Sequence, residues 1–271
     1  MDDNGARQMR RELIYAGAES ITLRLLHSYA YPDHERRIRA IIEEVDKDIS
    51  ISLSSDILPE SQEYERTLFT VMNAYIGPSM SAYLASLEDN LKAVQISPHV
   101  KIVRSDGGLM SVQNASSLPV HTMLSGPAGG VSGAAHLAKL AGYENALSFD
   151  MGGTSTDVSL IQNGEPFISR QINLGNYPIN MPALEVNSVG VGGGSIAQVS
   201  MTGALRIGPE SAGATPGPAC YGTGDLPTVT DANLVLGYLD SGNFLGGTAQ
   251  LDVSLAEKAI IRNVAEPVNP V

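Results

Sequence analysis

The first fifty-odd residues alternate between the periodicities of helices and of strands. Residues 7–16 and 33–45 have the spacing of helices, and the β-branched and leucine-rich segment 20–27 is typical of a strand. Residues 49–53 alternate polar and apolar with a period of two, which predicts a half-buried strand. The order strand, helix, strand predicts a parallel pair of strands joined by a right-handed crossover.

A long helical pattern follows, from about Gln62 to Leu91. Gly77-Pro78 predicts a kink or a break in it, because proline lacks an N–H group and clashes with the preceding turn. Methionine and tyrosine recur at helical spacing, which predicts core packing rather than a cofactor site. These core candidates are Met72, Tyr75, Met80, Tyr83 and Leu84.

Glycine then becomes frequent and marks tight turns. Residues 101–104 and 109–112 predict a short hairpin. The glycine-rich segment 124–130 predicts a loop that leads into a helix of small residues over 131–141. A helix that begins after such a loop leaves its first N–H groups open to an anion.

The most distinctive polar segment lies between two apolar segments, 145–149 and 158–161, which both predict buried strands. Its sequence is Asp150-Met-Gly-Gly-Thr-Ser-Thr-Asp157. Its two glycines let the backbone turn tightly and approach a ligand, and successive N–H groups in such a turn can form an anion site. Three hydroxyl groups add donors, and the terminal aspartates are suited to a cation. The pattern predicts a hairpin that binds a nucleotide phosphate and its metal.

A second glycine-rich segment, Gly190-Val-Gly-Gly-Gly-Ser195, favours either close approach to a flat or charged ligand or a simple bulge. It lacks the glycine spacing of a dinucleotide fingerprint, and residues 196–199 predict a strand rather than a long helix. The last helices are predicted over 231–239 and 253–264. Thr230-Asp231 suits a cap of the first of them, and capping is favoured over catalysis.

Composition narrows the class of protein. The 271 residues suffice for one large or two small domains. We predict two segments: residues 1–120 contain the β-α-β unit and the long helix, and residues 121–271 form a glycine-rich nucleotide-binding lobe. The net charge of −12 argues against a nucleic-acid partner. The single cysteine, Cys220, fits a reducing compartment and is interpreted as packed rather than nucleophilic. With no secretory segment or membrane-spanning apolar run, we expect a cytoplasmic protein without a membrane partner.

Six segments, in this order along the chain, resemble the hydantoinase A / 5-oxoprolinase family (N-methylhydantoinase A-like subunits). The chain also fits the same family upstream, at Leu26–Glu35, at Glu63–Arg66 and at Asn73–Tyr75. The six segments are Leu124-Ser-Gly-Pro-Ala-Gly-Gly130, Phe149–Asp157, Val189–Ile196, Ile207-Gly-Pro-Glu-Ser-Ala-Gly213, Pro216-Gly-Pro-Ala-Cys-Tyr221 and Thr228-Val-Thr-Asp-Ala-Asn233.

The resemblance implies an α/β fold of the actin-like ATPase (ribonuclease-H-like) type, with a mixed sheet flanked by helices. It implies part of an ATP-dependent hydrolase that opens cyclic amides such as hydantoin or 5-oxoproline, with ATP and Mg²⁺ as cofactors. The implied partners are a small cyclic amide and a larger hydantoinase B-type subunit. One alternative is the subunit of an ATP-dependent ketone carboxylase. The family's earlier Asp-x-Gly-Gly-Thr-x-Thr-Asp motif is missing, so the resemblance implies an incomplete fold in which Asp150–Asp157 is the second phosphate motif. A catalytically inactive nucleotide-binding or scaffold fragment is the other alternative.

The resemblance also implies roles for individual residues. Asp150 would hold the metal, and Asp150 and Asp157 are the catalytic candidates. The segment Gly192, Gly193, Gly194 and Ser195 would line the adenosine side of the cleft. The phosphate contacts would be Gly152, Gly153, Thr154, Ser155 and Thr156.

Overall fold

The computed structural model describes residues 3–44, 49–96, 99–175 and 177–268, which form a mixed α/β fold. The helices are α1 (Asp3–Tyr15), α2 (Asp33–Glu43), α3 (Ser54–Ile57), α4 (Glu63–Ala93), α5 (Val112–Ser117), α6 (Ser125–Leu140), α7 (Val229–Val235), α8 (Val253–Ile260) and α9 (Glu266–Val268). The strands are β1 (Ser20–Leu23), β2 (Ser50–Leu53), β3 (Lys101–Val103), β4 (Leu109–Ser111), β5 (Ala146–Met151), β6 (Thr156–Gln162), β7 (Glu165–Pro166), β8 (Ile168–Ser169), β9 (Ile172–Leu174), β10 (Tyr177–Ile179), β11 (Ala183–Leu184), β12 (Asn187–Val189), β13 (Ser195–Val199) and β14 (Leu205–Ser211).

The chain divides into two compact units. The first comprises the residues up to Leu137 together with Pro166–Glu185, and the second comprises Ala138–Glu165 together with the residues from Val186 onward. These bounds differ from the predicted segments 1–120 and 121–271. The difference arises because the chain leaves the second unit after the β5–β6 hairpin, adds short strands to the first unit, and then returns.

The first unit contains the predicted β-α-β arrangement. Strands β1 and β2 are parallel, with Ser20 opposite Ser50 and Leu23 opposite Leu53, and α2 lies between them in sequence. This part of the prediction is confirmed. A core of buried side chains from α4, from the turn after α5 and from the returning segment holds the unit together: Phe69, Val120, Ile179, Met181 and Ala183.

The long helix α4 runs from Glu63 to Ala93 with Pro78 inside it, so of the two predicted outcomes at Gly77-Pro78, a kink or a break, the break is wrong. Leu84 is buried, as predicted. Tyr75 and Tyr83 are 80% and 61% exposed, so their predicted core role is wrong. Neither α4 nor any other helix in the described part of the chain is long and apolar enough to cross a membrane.

Helix α6 begins at Ser125, six residues before the predicted start at Val131. The glycines of 124–130 are therefore helical residues rather than a loop. Pro127 permits this start because it lies in the first turn, where a backbone N–H has no partner within the helix. The predicted glycine loop in front of the helix is wrong.

In the second unit, β5, β6 and β12 form an antiparallel sheet in the order β12–β6–β5, and β13 pairs with β14. Ile161 in β6 is fully buried. Leu147 and Phe149 in β5 are each 63% exposed, so the prediction of a buried strand over 145–149 is wrong. Both side chains lie on the same face of the sheet, and that face is open to solvent.

Candidate functional site

The segment Asp150–Asp157 forms the hairpin that its sequence predicts. Strands β5 and β6 pair antiparallel, and Asp150 lies directly opposite Asp157. The backbone N–H of Gly152 donates to the carbonyl of Ser155 (2.9 Å) and closes the turn. Gly152, Gly153 and Thr154 are exposed at its tip, where a ligand can reach the backbone.

The second glycine segment packs directly on this turn. We call Gly190–Ser195 the glycine strap. The N–H of Gly193 donates to the carbonyl of Gly152 (2.8 Å), and the N–H of Gly194 donates to the carbonyl of Gly153 (2.7 Å). A Cβ atom on Gly192 would lie 2.7 Å from the Gly152 carbonyl oxygen, so only glycine fits there. The two glycine motifs thus form one structural unit.

The strap fixes the direction of two backbone donors in the turn. In a trans peptide the C=O of one residue and the N–H of the next point in opposite directions, and the peptides after Gly152 and Gly153 are both trans. Since both carbonyls point at the strap, the N–H groups of Gly153 and Thr154 point away from it. Within the described residues, neither N–H has a hydrogen-bond partner. They form a pair of adjacent donors on one side of the exposed turn.

The hydroxyl groups of the site fall into two kinds. Those of Thr154 and Ser155 have no hydrogen-bond partner in the described part of the chain. The hydroxyl of Thr156 is buried and donates to the carbonyl of Val191 (2.6 Å). Ser195 is fully buried, and its Oγ accepts from the N–H of Gly192 (2.9 Å). Thr154 and Ser155 are therefore free to face a ligand, whereas the other two hydroxyls bind the protein itself.

The two aspartates lie on the same face of the sheet because they are directly opposite each other. Asp150 is exposed, and Asp157 is half-buried and accepts a hydrogen bond from the hydroxyl of Ser188. Like charges in this position destabilise a sheet unless a cation lies between or beside them. Among the described residues, no three His, Cys, Asp or Glu side chains form a metal site, so a metal here would need phosphate and water as further ligands. This coordination is typical of Mg²⁺.

Helix α7 joins the site from the other side of the strap. Thr228 is its N-cap and forms a capping box with Asp231. Asp231 therefore takes part in the helix cap, as predicted, but the N-cap residue is Thr228 rather than Thr230. Thr230 lies in the first helical turn, where its N–H and its hydroxyl both donate to the carbonyl of Gly193, at 2.8 and 2.9 Å. The sequence gives no local signal for this contact.

Asp231 and Cys220 form a buried pair behind the strap. Both residues are buried, and Asp231 accepts hydrogen bonds from the N–H groups of Ala219, Cys220 and Thr228. Burial and the nearby Asp231 carboxylate raise the pKa of the Cys220 thiol to about 12. A thiol with such a pKa stays protonated at neutral pH and is a poor nucleophile. The interpretation of Cys220 as a packed residue is confirmed.

Two unengaged backbone N–H groups lie beside a pair of opposed carboxylates in this hairpin, and the sequence that contains it matches a known protein family. The family described as Hydantoinase/oxoprolinase matches residues 66–270. The chain belongs to this family, as its motifs predict.

Individual relatives include enzymes of two kinds. The chain is 36% identical to the caprolactamase subunit alpha of Pseudomonas jessenii, over 92% of this chain and 36% of that protein. It is 38% identical to the 5-oxoprolinase of Saccharomyces cerevisiae, over 88% of this chain and 18% of that protein. A nucleotide-free structure of acetone carboxylase, an enzyme of ATP-dependent acetone carboxylation, has a TM-score of 0.78 and 35% identity, covering 98% of this chain and 38% of that one. The chain thus spans less than half the length of each of these relatives.

Proposed function

We propose that this chain is the phosphate-binding portion of an ATP-dependent hydrolase of cyclic amides, built on the actin-like ATPase fold. The observation that carries the proposal is the pair of unengaged N–H groups, on Gly153 and Thr154, beside the opposed carboxylates of Asp150 and Asp157. Membership of the hydantoinase/oxoprolinase family supports the reaction class. The names caprolactamase and 5-oxoprolinase both refer to cyclic amides, which favours a lactam-like substrate.

The residues of the hairpin fit a nucleotide phosphate and its metal. The N–H groups of Gly153 and Thr154, with the hydroxyls of Thr154 and Ser155, would donate to phosphate oxygens. Asp150 would hold Mg²⁺ through water, and Asp157, oriented by Ser188, would complete the acidic side of the site. ATP would supply the phosphoryl group that activates an amide oxygen for ring opening. The nucleotide-side role of Gly192–Ser195 stays a prediction.

The charge of the molecule is compatible with this site. A chain of net charge −12 offers no basic field to attract a polyanion. Two aligned N–H groups and a magnesium ion act over a few ångströms, however, whereas charges farther away than about 8–10 Å are largely screened at physiological salt. Local donors can therefore bind a phosphate on an acidic protein.

A second candidate is the corresponding subunit of an ATP-dependent ketone carboxylase, because the acetone carboxylase structure covers 98% of this chain. Both proposed functions assign the same role to the hairpin. They differ in the compound that would stimulate ATP hydrolysis, which is a cyclic amide for the hydrolase and a ketone for the carboxylase. In either case the relatives named as alpha, beta or gamma subunits favour a partner subunit, for which a hydantoinase B-type chain is our proposal.

Calorimetric titration of the chain with ATP and Mg²⁺ tests the proposed site. We expect saturable binding, which Asp150→Asn weakens about tenfold when Mg²⁺ is present and does not weaken when EDTA removes it, because the carboxylate favours the phosphate only through the metal. Asp225→Asn, an exposed aspartate elsewhere in the same unit, is the matched control and should bind normally.

Two outcomes contradict the proposal in different ways. If the unmodified chain produces no saturable heat with magnesium ATP, the hairpin is not a nucleotide site in this chain. If Asp150→Asn binds magnesium ATP as tightly as the unmodified chain, the hairpin binds phosphate without the metal role assigned to Asp150.

A further inference from the structure

We propose that Thr230 is a positioning residue for the phosphate hairpin: it fixes the glycine strap, and the strap orients the two N–H groups that would face the phosphate. The identity of the ligand rests on the proposed function. The positioning itself rests on contacts within the second unit and can be measured without any ligand.

Thr230 contacts the glycine strap directly. Its N–H and its hydroxyl both donate to one acceptor, the carbonyl of Gly193, at 2.8 and 2.9 Å. The first N–H groups of a helix have no partner within the helix, so the strap supplies the acceptor that α7 lacks there. A Cβ atom on Gly193 would lie 2.9 Å from the Thr230 hydroxyl oxygen, which shows how closely the two residues pack.

Gly193 contacts the hairpin through the other side of its backbone. The carbonyl of Gly193 faces Thr230, while its N–H donates to the carbonyl of Gly152 in the hairpin (2.8 Å). Gly194 adds a parallel bond to Gly153 (2.7 Å), and its own carbonyl accepts from the N–H of Ala212 (2.8 Å). Gly193 is thus a bridge between helix α7 and the turn of the hairpin.

The hydrogen bond from Gly193 restricts the orientation of a peptide group in the hairpin. Rotation of the peptide between Gly152 and Gly153 would carry its N–H out of line with its neighbour. The bond from Gly193 opposes this rotation because it holds the carbonyl of that peptide. Thr230 therefore acts on the donor pair through two hydrogen bonds in series, without touching the ligand.

A buried hydrogen-bond network forms the base of this arrangement. Asp231 is fully buried and accepts from the N–H groups of Ala219, Cys220 and Thr228 and from the hydroxyl of Thr228. A buried carboxylate with several donors is held in one position. Because Asp231 follows Thr230 directly in the chain, it fixes the backbone from which Thr230 reaches the strap.

The test compares two substitutions that differ in one hydroxyl group. Thr230→Val keeps the shape of the side chain and loses the hydroxyl, whereas Thr230→Ser keeps the hydroxyl. We expect Thr230→Val to weaken binding of magnesium ATP about three- to tenfold, the range that one hydrogen bond produces, and Thr230→Ser to bind within about twofold of the unmodified chain. In the absence of nucleotide, amide hydrogen exchange at Gly193 and Gly194, measured by NMR, should be faster in Thr230→Val than in the unmodified chain. Thr230→Ser should not show this increase.

A matched control separates positioning from general loss of stability. Thr223 donates its hydroxyl to the carbonyl of Pro216 (2.5 Å) in the same unit, a bond in which no strap residue takes part, so Thr223→Val removes a comparable bond. It should leave nucleotide affinity and strap exchange unchanged. The amides of Ala219 and Cys220 should stay protected in Thr230→Val if the base is intact.

The inference is overturned if Thr230→Val and Thr230→Ser show the same amide exchange in the strap and the same hairpin chemical shifts. It is also overturned if Thr223→Val weakens nucleotide binding as much as Thr230→Val does. Failure of every variant and of the unmodified chain to bind magnesium ATP would refute the proposed function, while the exchange data would still decide the role of Thr230.

Discussion

Glu35 shows how a single buried charge stabilises the first unit. Its carboxylate is fully buried and accepts hydrogen bonds from the N–H of Leu25 (2.8 Å), the hydroxyl of Ser54 (2.7 Å) and the N–H of Ser55 (2.9 Å). Burial alone raises the pKa of the carboxyl group, but these bonds and one from Ser28 outweigh it, so the pKa lies below its ordinary value. The charged form is the one the fold stabilises.

We expect Glu35→Gln to lower the free energy of unfolding by about 1.5–3 kcal/mol at pH 7, the range for a hydrogen bond to a charged group. Because the pKa is lower in the folded state, this stabilisation is present above the unfolded-state pKa of about 4.3 and is lost as pH falls through the folded-state pKa. Urea unfolding at pH 7 and at successively lower pH should show the two proteins converging. A difference that does not change with pH would contradict the assignment. Glu43→Gln, which breaks an exposed pair with Arg39, should cost less than about 1 kcal/mol.

The sequence correctly predicts those helices and strands whose formation depends on residues adjacent in the chain. The hairpin at Asp150–Asp157 is correctly predicted because its two glycines and its flanking strands are adjacent in the chain. The start of α6 is missed because a glycine-rich segment forms helix or loop according to its surroundings. The exposure of β5 is missed because the burial of a strand depends on what packs on the sheet. The bond between Thr230 and Gly193 joins distant segments and leaves no local pattern.

The strap packs on the hairpin only because residue 192 is glycine. A Cβ atom there would lie 2.7 Å from three backbone atoms of the hairpin, which cannot move like the end of a flexible side chain. We expect Gly192→Ala to displace the strap, to lower the free energy of unfolding by about 1–3 kcal/mol and to weaken magnesium ATP binding at least tenfold. Gly190→Ala is the matched control, because a Cβ atom at residue 190 meets nothing within 4 Å. Equal effects of the two substitutions on binding would show that strap packing does not set the hairpin.

Two surface properties of this chain have opposite effects on the association of its copies. The chain carries a net charge of −12, which keeps copies apart. One face of the sheet in the second unit is apolar and open, since Leu147 lies opposite Leu160 and Phe149 opposite Val158, and the two residues of β5 are each 63% exposed. Exposed contiguous apolar surface favours association. The balance between the two should therefore depend on ionic strength.

We expect the chain to be largely monomeric at low salt and to self-associate as salt rises, because added ions shorten the screening length from about 30 Å at 0.01 M to about 3 Å at 1 M and leave the apolar attraction in place. Phe149→Thr, which keeps a side chain suited to a strand, should suppress this association. Met201→Thr removes an even more exposed apolar side chain, from the turn between β13 and β14, and should not suppress the association. Sedimentation velocity of the three proteins at both salt concentrations measures the effect. Association that weakens with salt would mean that opposite charges, rather than the face around Phe149, hold the copies together.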